Sequence, residues 1–185
     1  GFLVGLDTDE SATFWLYEAD HMKFATSGTE AMRIDASGHI TKPLQPAFSA
    51  YLSATQSNFA VGVGGVTILF DTERFDQNAD FNTSTYTFTA PVTGRYQLNV
   101  QARLNALDTA ANYYQLIFKT SNTDYIFTFD PNLSADADYY SISFSILADM
   151  DASDTAYVQV NQSGGSAQTD INHGGDTYFS GYLVA

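Results

Sequence analysis

The chain has 185 residues, 15% of them aromatic, and no cysteine. That length suffices for one solid core with an appendage, and the missing thiols exclude a disulfide framework and thiolate chemistry. Its 21 acidic against 7 basic residues leave a net charge of −14, which repels phosphate backbones and anionic lipid surfaces and so argues against nucleic-acid or membrane-surface partners.

No segment has sustained helical periodicity, and the abundance of Phe and Tyr favours strands, where rings pack well on a pleated surface. No apolar run approaches the ~20 residues that span a bilayer, so membrane insertion is not expected. The chain begins at Gly1 rather than Met, from which we expect further protein on its N-terminal side.

Residues 1–45 carry short apolar bursts (Phe2-Leu3-Val4, Phe14-Trp15-Leu16-Tyr17, Met22-Lys23-Phe24) broken by Asp, Gly, Ser and Thr. They predict strands near 2–6, 13–18, 22–26, 30–35 and 39–41, too short for an autonomous core. Exposed Trp15, Tyr17 and Phe24 need a partner surface, and the simplest is two more copies of the same segment. Lys42-Pro43-Leu44-Gln45-Pro46 marks a boundary, because two prolines three apart enforce extended backbone and remove ladder donors.

From Ala47 the pattern is of about 8–10 strands separated by turn chemistry, as in a sandwich or jelly roll. Strands are predicted near 47–53, 59–70, 85–90, 95–104, 113–119, 125–130, 139–147, 156–161 and 177–184. Over 95–104, Tyr96, Leu98, Val100, Ala102 and Leu104 alternate with polar residues, and over 139–147 Tyr140, Ile142, Phe144 and Ile146 alternate with Tyr139 and serines. The serine face suits solvent or the close approach of a neighbouring subunit.

The spacing Phe70, Asp76, Phe81, Phe88, Gly94, Tyr96 resembles the signature of the globular head of complement C1q, a trimeric jelly roll related to tumour necrosis factor. Leu98 and Val100 stand where that family usually has aromatics. Ser153-Asp154-Thr155-Ala156-Tyr157-Val158 resembles its Gly-Asp-x-Val strand entry, with Ser153 in place of Gly. The closing Tyr178-Phe179-Ser180-Gly181-Tyr182-Leu183-Val184 resembles its last strand. Gly28 to Ile40, and Gly1 to Asp7 followed by the Trp/Tyr strand, resemble a repeat of bacteriophage tail fibres, with Ala31 where a basic residue is common. Together these imply an all-β homotrimer: a short intertwined β stem over 1–45, then a C1q-like jelly-roll head over 46–185. Trp15, Phe24, Tyr96, Phe144, Phe179 and Tyr182 are the expected trimer core.

The remaining motifs point to little chemistry. Gly62-Val63-Gly64-Gly65-Val66 lies in an apolar stretch with no helix after it, so it reads as a bulge or loop and not a phosphate cradle. Asp149, Asp151 and Asp154 crowd one segment, with two readings: a bound divalent ion such as calcium, which some C1q-like heads carry, or solvated charge. His21, His39 and His173 are isolated, although a three-fold axis would triple His173. Nucleophile-elbow and paired-carboxylate patterns are missing, and we expect no enzyme.

If strands alternate in direction, loops 105–112, 131–138 and 162–176 share the pole opposite the stem, and loops 120–124 and 148–155 the near pole. The distal loops offer adaptable hydrogen-bonding residues and an aromatic plate. Asp136, Asp138, Tyr139, Gln162, Asn172 and His173 are therefore the expected receptor-binding residues. The resemblances imply a virion fibre or spike tip, outside the cell, that binds a bacterial surface glycan or surface protein through three weak sites acting together. A purely structural trimerisation cap, a polysaccharide depolymerase and a secreted cellular C1q-like module are the alternatives.

Overall fold

The computed structural model describes residues 1–185, and every regular element in it is a strand. No helix is long and apolar enough to cross a membrane. The chain divides into two units, Gly1–Gln45 and Pro46–Ala185.

In the first unit, β1 (Phe2–Leu6) pairs antiparallel with β2 (Ala12–Leu16), placing Phe2 opposite Leu16, Leu3 opposite Trp15 and Val4 opposite Phe14. Directly opposite residues share a face. One face of this ribbon therefore carries Phe2, Val4, Phe14 and Leu16, and the other Leu3 and Trp15. Strands β3 (Met22–Thr26), β4 (Thr29–Ile34) and β5 (Ile40–Thr41) form a separate meander. Its first turn places Ser27 and Gly28 at positive φ (51° and 77°), the geometry that matches strand twist in a two-residue hairpin. Asp35 shapes the second by accepting from the amides of Ser37 and His39. All five strands fall within two residues of their expected ends.

The second unit begins with β6 (Ala47–Tyr51), β7 (Val66–Thr67), β8 (Thr72–Asp76), β9 (Phe81–Asn82), β10 (Thr87–Thr89) and β11 (Gly94–Asn105). It continues through β12 (Tyr113–Thr120), β13 (Asp124–Phe129), β14 (Tyr140–Met150), β15 (Thr155–Ser163), β16 (Asp170–Ile171) and β17 (Tyr178–Leu183). Two antiparallel sheets result. One runs β14-β11-β17-β6-β8 with β16 on β11, the other β13-β12-β15-β10-β9 with β7 on β15. Consecutive strands repeatedly switch sheets, which is the jelly-roll arrangement.

Alternation explains the long strands. In β11, Tyr96, Leu98, Val100, Ala102 and Leu104 are buried, while Gln97, Asn99, Gln101 and Arg103 are partly exposed on the outer face. In β14, Ile142, Ile146, Ala148 and Met150 face inward and Ser141, Ser143 and Ser145 outward. Between the sheets Phe48 stacks on Phe81 and Phe88, with centroids 5.0 and 4.8 Å away, and meets Phe179 edge-on at 4.9 Å. Gly181 permits this: a Cβ there would lie 2.6 Å from Leu98 Cδ2 and 2.9 Å from Phe48 Cε1.

Two expectations need correction. The continuous strand over 59–70 is instead a succession of bends with a two-residue β7, because Gly62, Gly64 and Gly65 all take positive φ. Phe59, Ile68 and Phe70 still enter the core singly, which is why the stretch is apolar without being a strand. Tyr96 and Phe179 are 0% exposed inside one sandwich, and Phe144 packs on Phe118 and Phe127 of the same chain. Tyr96 and Phe179 serve the protomer's own core and are not trimer-core residues, whereas Phe144 is partly buried against that core. Trp15, Phe24 and Tyr182 remain exposed, at 52%, 45% and 49%.

Candidate binding surfaces

The signature spacing has a mechanical basis. Phe70, Phe81, Phe88 and Tyr96 are core rings. The Phe81 amide donates to Asp76 Oδ2 at 2.8 Å and closes the turn between β8 and β9. The Tyr96 hydroxyl donates to the Val92 carbonyl at 2.7 Å. At Gly94 a Cβ would lie 2.6 Å from the Ala185 carbonyl oxygen, so the C-terminal backbone requires glycine there.

Loop placement follows the parity argument. At one pole, Asp136 Oδ1 accepts from the amide and hydroxyl of Thr109 at 2.9 and 2.7 Å, and Asp136 Oδ2 accepts from Gln168 Nε2 at 2.9 Å. Buried Asp108 accepts from the amides of Ala110 and Ser166, and Leu107 and Ala137 form a β-bridge. All three predicted distal loops are thus laced together. At the other pole, Asn122 reaches Asp154 at 2.7 Å, and the Pro46 carbonyl accepts from the Leu183 amide at 3.1 Å.

The expected recognition residues divide by exposure. Tyr139 is 73% exposed, with the Arg103 guanidinium carbon 5.3 Å from its ring centre. Arg103 also pairs with Asp176. Asp138 and His173 are exposed, and His173 Nδ1 shares a 2.8 Å hydrogen bond with Thr55 Oγ1. Asn172 is half-buried and linked to Asn105 and to the His173 carbonyl. Gln162 is a correction: it is 0% exposed, donates to the Gly164 and Ser166 carbonyls, and shapes its loop from inside. Three hydrogen bonds, the backbone one from Thr109 foremost, hold the Asp136 carboxyl below its ordinary range.

The aspartates proposed for calcium do not converge. Asp154 Oδ2 accepts from Asn122 Nδ2 and, at 2.8 Å, from the Asp151 amide, while Asp149 faces Arg95 at 3.9 Å. No group of three or more His, Cys, Asp or Glu side chains is arranged to hold a metal ion. Asp151 and Asp154 serve a turn.

The description of the C1q domain fits residues 47–184. The chain belongs to the C1q domain family. The globular domain of zebrafish complement 1qA protein is 17% identical, with 76% of this chain and 98% of that one covered at a TM-score of 0.55. Murine APRIL is 7% identical over 76% and 99%, at 0.53. At such identities these likenesses show the fold alone. No curated protein sequence matches the chain. C1q domains are in general trimeric, non-enzymatic modules that bind ligands or receptors, usually outside the cell.

Sequence reasoning missed one group on the C1q head. Arg74 of β8, Tyr51 of β6 and Tyr178 of β17 meet on the outer face of one sheet. Tyr51 and Tyr178 are register partners. The signal for them was weak, because residues 72–76 mix Glu and Arg with Phe and show no alternation.

Proposed function

We propose that this protein is the tip of a homotrimeric virion fibre that attaches to a bacterial surface glycan or surface protein. The observation that carries the reading is the β1-β2 ribbon. A two-stranded ribbon is marginal alone, and this one has large apolar side chains on both faces: Phe2 at 59%, Phe14 at 63%, Trp15 at 52% and Leu3 at 43% exposure. Residues 1–45 supply one other small sheet, enough to cover a single face. Neighbouring copies supply the second layer. Three copies of the stem then hold three C1q heads together, and the serine face of β14 suits close approach between heads. A shallow depression of about 230 Å³ beside Asn99, Ser143, Ser145 and Tyr178 lies on that face. Attachment rests on avidity, with three weak sites gaining from high effective concentration once one engages.

The test is adsorption of fluorescently labelled protein to candidate bacteria, with light scattering on the same sample. Trimeric mass with saturable adsorption supports the reading. A folded single-chain particle at micromolar concentration, or no adsorption to any candidate, overturns it. A purely structural cap is the second reading, favoured by the internal engagement of Asp136 and Asn172. Stable trimers that adsorb to nothing would establish it.

A further inference from the structure

The outer side of the second sheet of the head is nearly free of charge. The glycine run with β7, then β15 and β12, lie side by side there. Residues 59–67, 113–120 and 155–163 together hold one charged side chain, Lys119, in a chain with 21 acidic and 7 basic residues. Lys119 is neutralised by Asp124 of β13. Tyr114, Leu116 and Phe118 of β12 are core residues, as are Ala156, Val158 and Val160 of β15, so the residues between them face outward. Gln115 stands opposite Asn161, Ile117 opposite Gln159, and Gln159 opposite Thr67 of β7. Asn161 Nδ2 donates to Gln115 Oε1 at 3.0 Å, and Gln115 Nε2 donates to Thr128 Oγ1 of β13 at 3.3 Å. One amide row is thereby fixed across three strands. The glycine run borders the face as a bare rim: a Cβ on Gly65 would lie 2.8 Å from Gln159 Oε1, and one on Gly62 or Gly64 would meet nothing within 4 Å. Tyr157 stands opposite Lys119, which puts it roughly 20 Å along the strand direction from Tyr113, so the two rings bracket the amide rows.

We propose that this face, through Tyr113, Gln115, Tyr157 and Gln159, binds an uncharged stretch of the target's surface glycan, laid along β12 and β15. Side-chain amides donate and accept together, as sugar hydroxyls require. The phenol rings add apolar area for the C–H faces of sugar rings. Side chains already held by one another lose little freedom on binding. Charge selects the ligand. The field of a chain at −14 repels an anionic glycan and draws a cationic one to the acidic loops, whereas a neutral chain gains most from a face of hydroxyls, amides and rings. This sheet is not the one that holds β14, so approach between heads through the serine face leaves the surface open. The inference rests on the attachment reading and names the class of its ligand and the place where it binds.

Adsorption of the labelled whole fragment to bacteria tests it, with the cells' own surface polysaccharide, split by anion exchange into uncharged and acidic fractions, as competitor. The uncharged fraction competes, the acidic fraction does not, and protease treatment of the cells spares adsorption. Added salt leaves adsorption within about twofold. Tyr157→Ala and Gln159→Glu each weaken it at least about tenfold with trimer mass unchanged, whereas Tyr139→Ala at the pole does not. If Tyr157→Ala melts lower, Gln159→Glu, which keeps the side-chain volume, decides. Competition by the acidic fraction, loss on protease treatment, or undiminished adsorption of Gln159→Glu overturns the face. NMR titration of the fragment with the uncharged fraction separates the two claims. Adsorption that ignores Tyr157 and Gln159 overturns this face alone. Resonance shifts at Tyr157 and Gln159 without adsorption overturn the attachment reading alone, and neither shifts nor adsorption overturns both.

Discussion

Asp136 and Thr109, 27 residues apart, are joined by two hydrogen bonds to one carboxylate oxygen. They weld the loop after β11 to the loop before β14. Because these bonds favour the ionised form, the Asp136 carboxyl is lowered. A lowered acid stabilises the fold above its unfolded value and ceases to do so as pH falls through the folded value. Amide exchange at Thr109 should therefore accelerate below about pH 4, and Asp136→Ala should show that faster exchange already at pH 7. Exchange at Thr109 that is independent of pH, once corrected for intrinsic rates, would refute the weld.

Asp80 behaves in the opposite sense. Burial, and then the neighbouring Asp76, raise its pKa, and Asp80 Oδ2 and Asp76 Oδ1 are buried without hydrogen-bond partners. The charged form is the destabilising one, so its cost appears as pH rises through the raised value. Asp80→Asn should stabilise the head at pH 7 by on the order of 1 kcal/mol, with the gain shrinking towards pH 4. Thermal melts at both pH values decide it.

Gly181→Ala should overpack the contact with Leu98 and Phe48 and destabilise by about 1–3 kcal/mol. Phe179→Ala removes a ring that touches Phe48, Phe70, Phe81 and Phe118 and should cost about 3–5 kcal/mol. Urea midpoints with unchanged m-values would verify both.

Ser153 has φ 77°, a left-handed conformation that L side chains adopt at a penalty. Ser153→Gly should raise stability by about 1 kcal/mol. A lowered melting temperature would mean that the hydroxyl serves the turn after all.

Trp15→Ser removes the largest apolar group from the Leu3–Trp15 face of the β1-β2 ribbon. The head should melt as before while trimers dissociate at higher concentration than wild type, by roughly tenfold or more. Light scattering across a dilution series provides the readout.

Period-two alternation was enough to read β11 and β14, since one face of each is buried and the other wet. The stem strands were readable from short apolar bursts broken by Asp, Gly, Ser and Thr. Strands β8 and β9 were not, because an edge strand buries little and Glu73, Arg74 and Phe75 carry no period. The glycine run reads as a bulge or loop, yet the whole of 59–70 still reads as one strand, because apolarity alone does not separate a strand from a loop that drops single rings into a core. Loop clustering followed from parity, whereas side-chain direction did not: Gln162 looks like any loop amide until burial is known. Arg74 and its two rings come from three strands distant in sequence, so no local motif could unite them.

The Pro46 carbonyl and the Leu183 amide are hydrogen-bonded neighbours, so entry and exit of the jelly roll lie side by side. A domain with adjoining ends can be spliced into a surface turn of an unrelated carrier without stretching either junction. Its opposite pole, where three loops share the hydrogen bonds of Asp136 and Asp108, would travel with it as one piece, which makes the head a cassette exchanged whole.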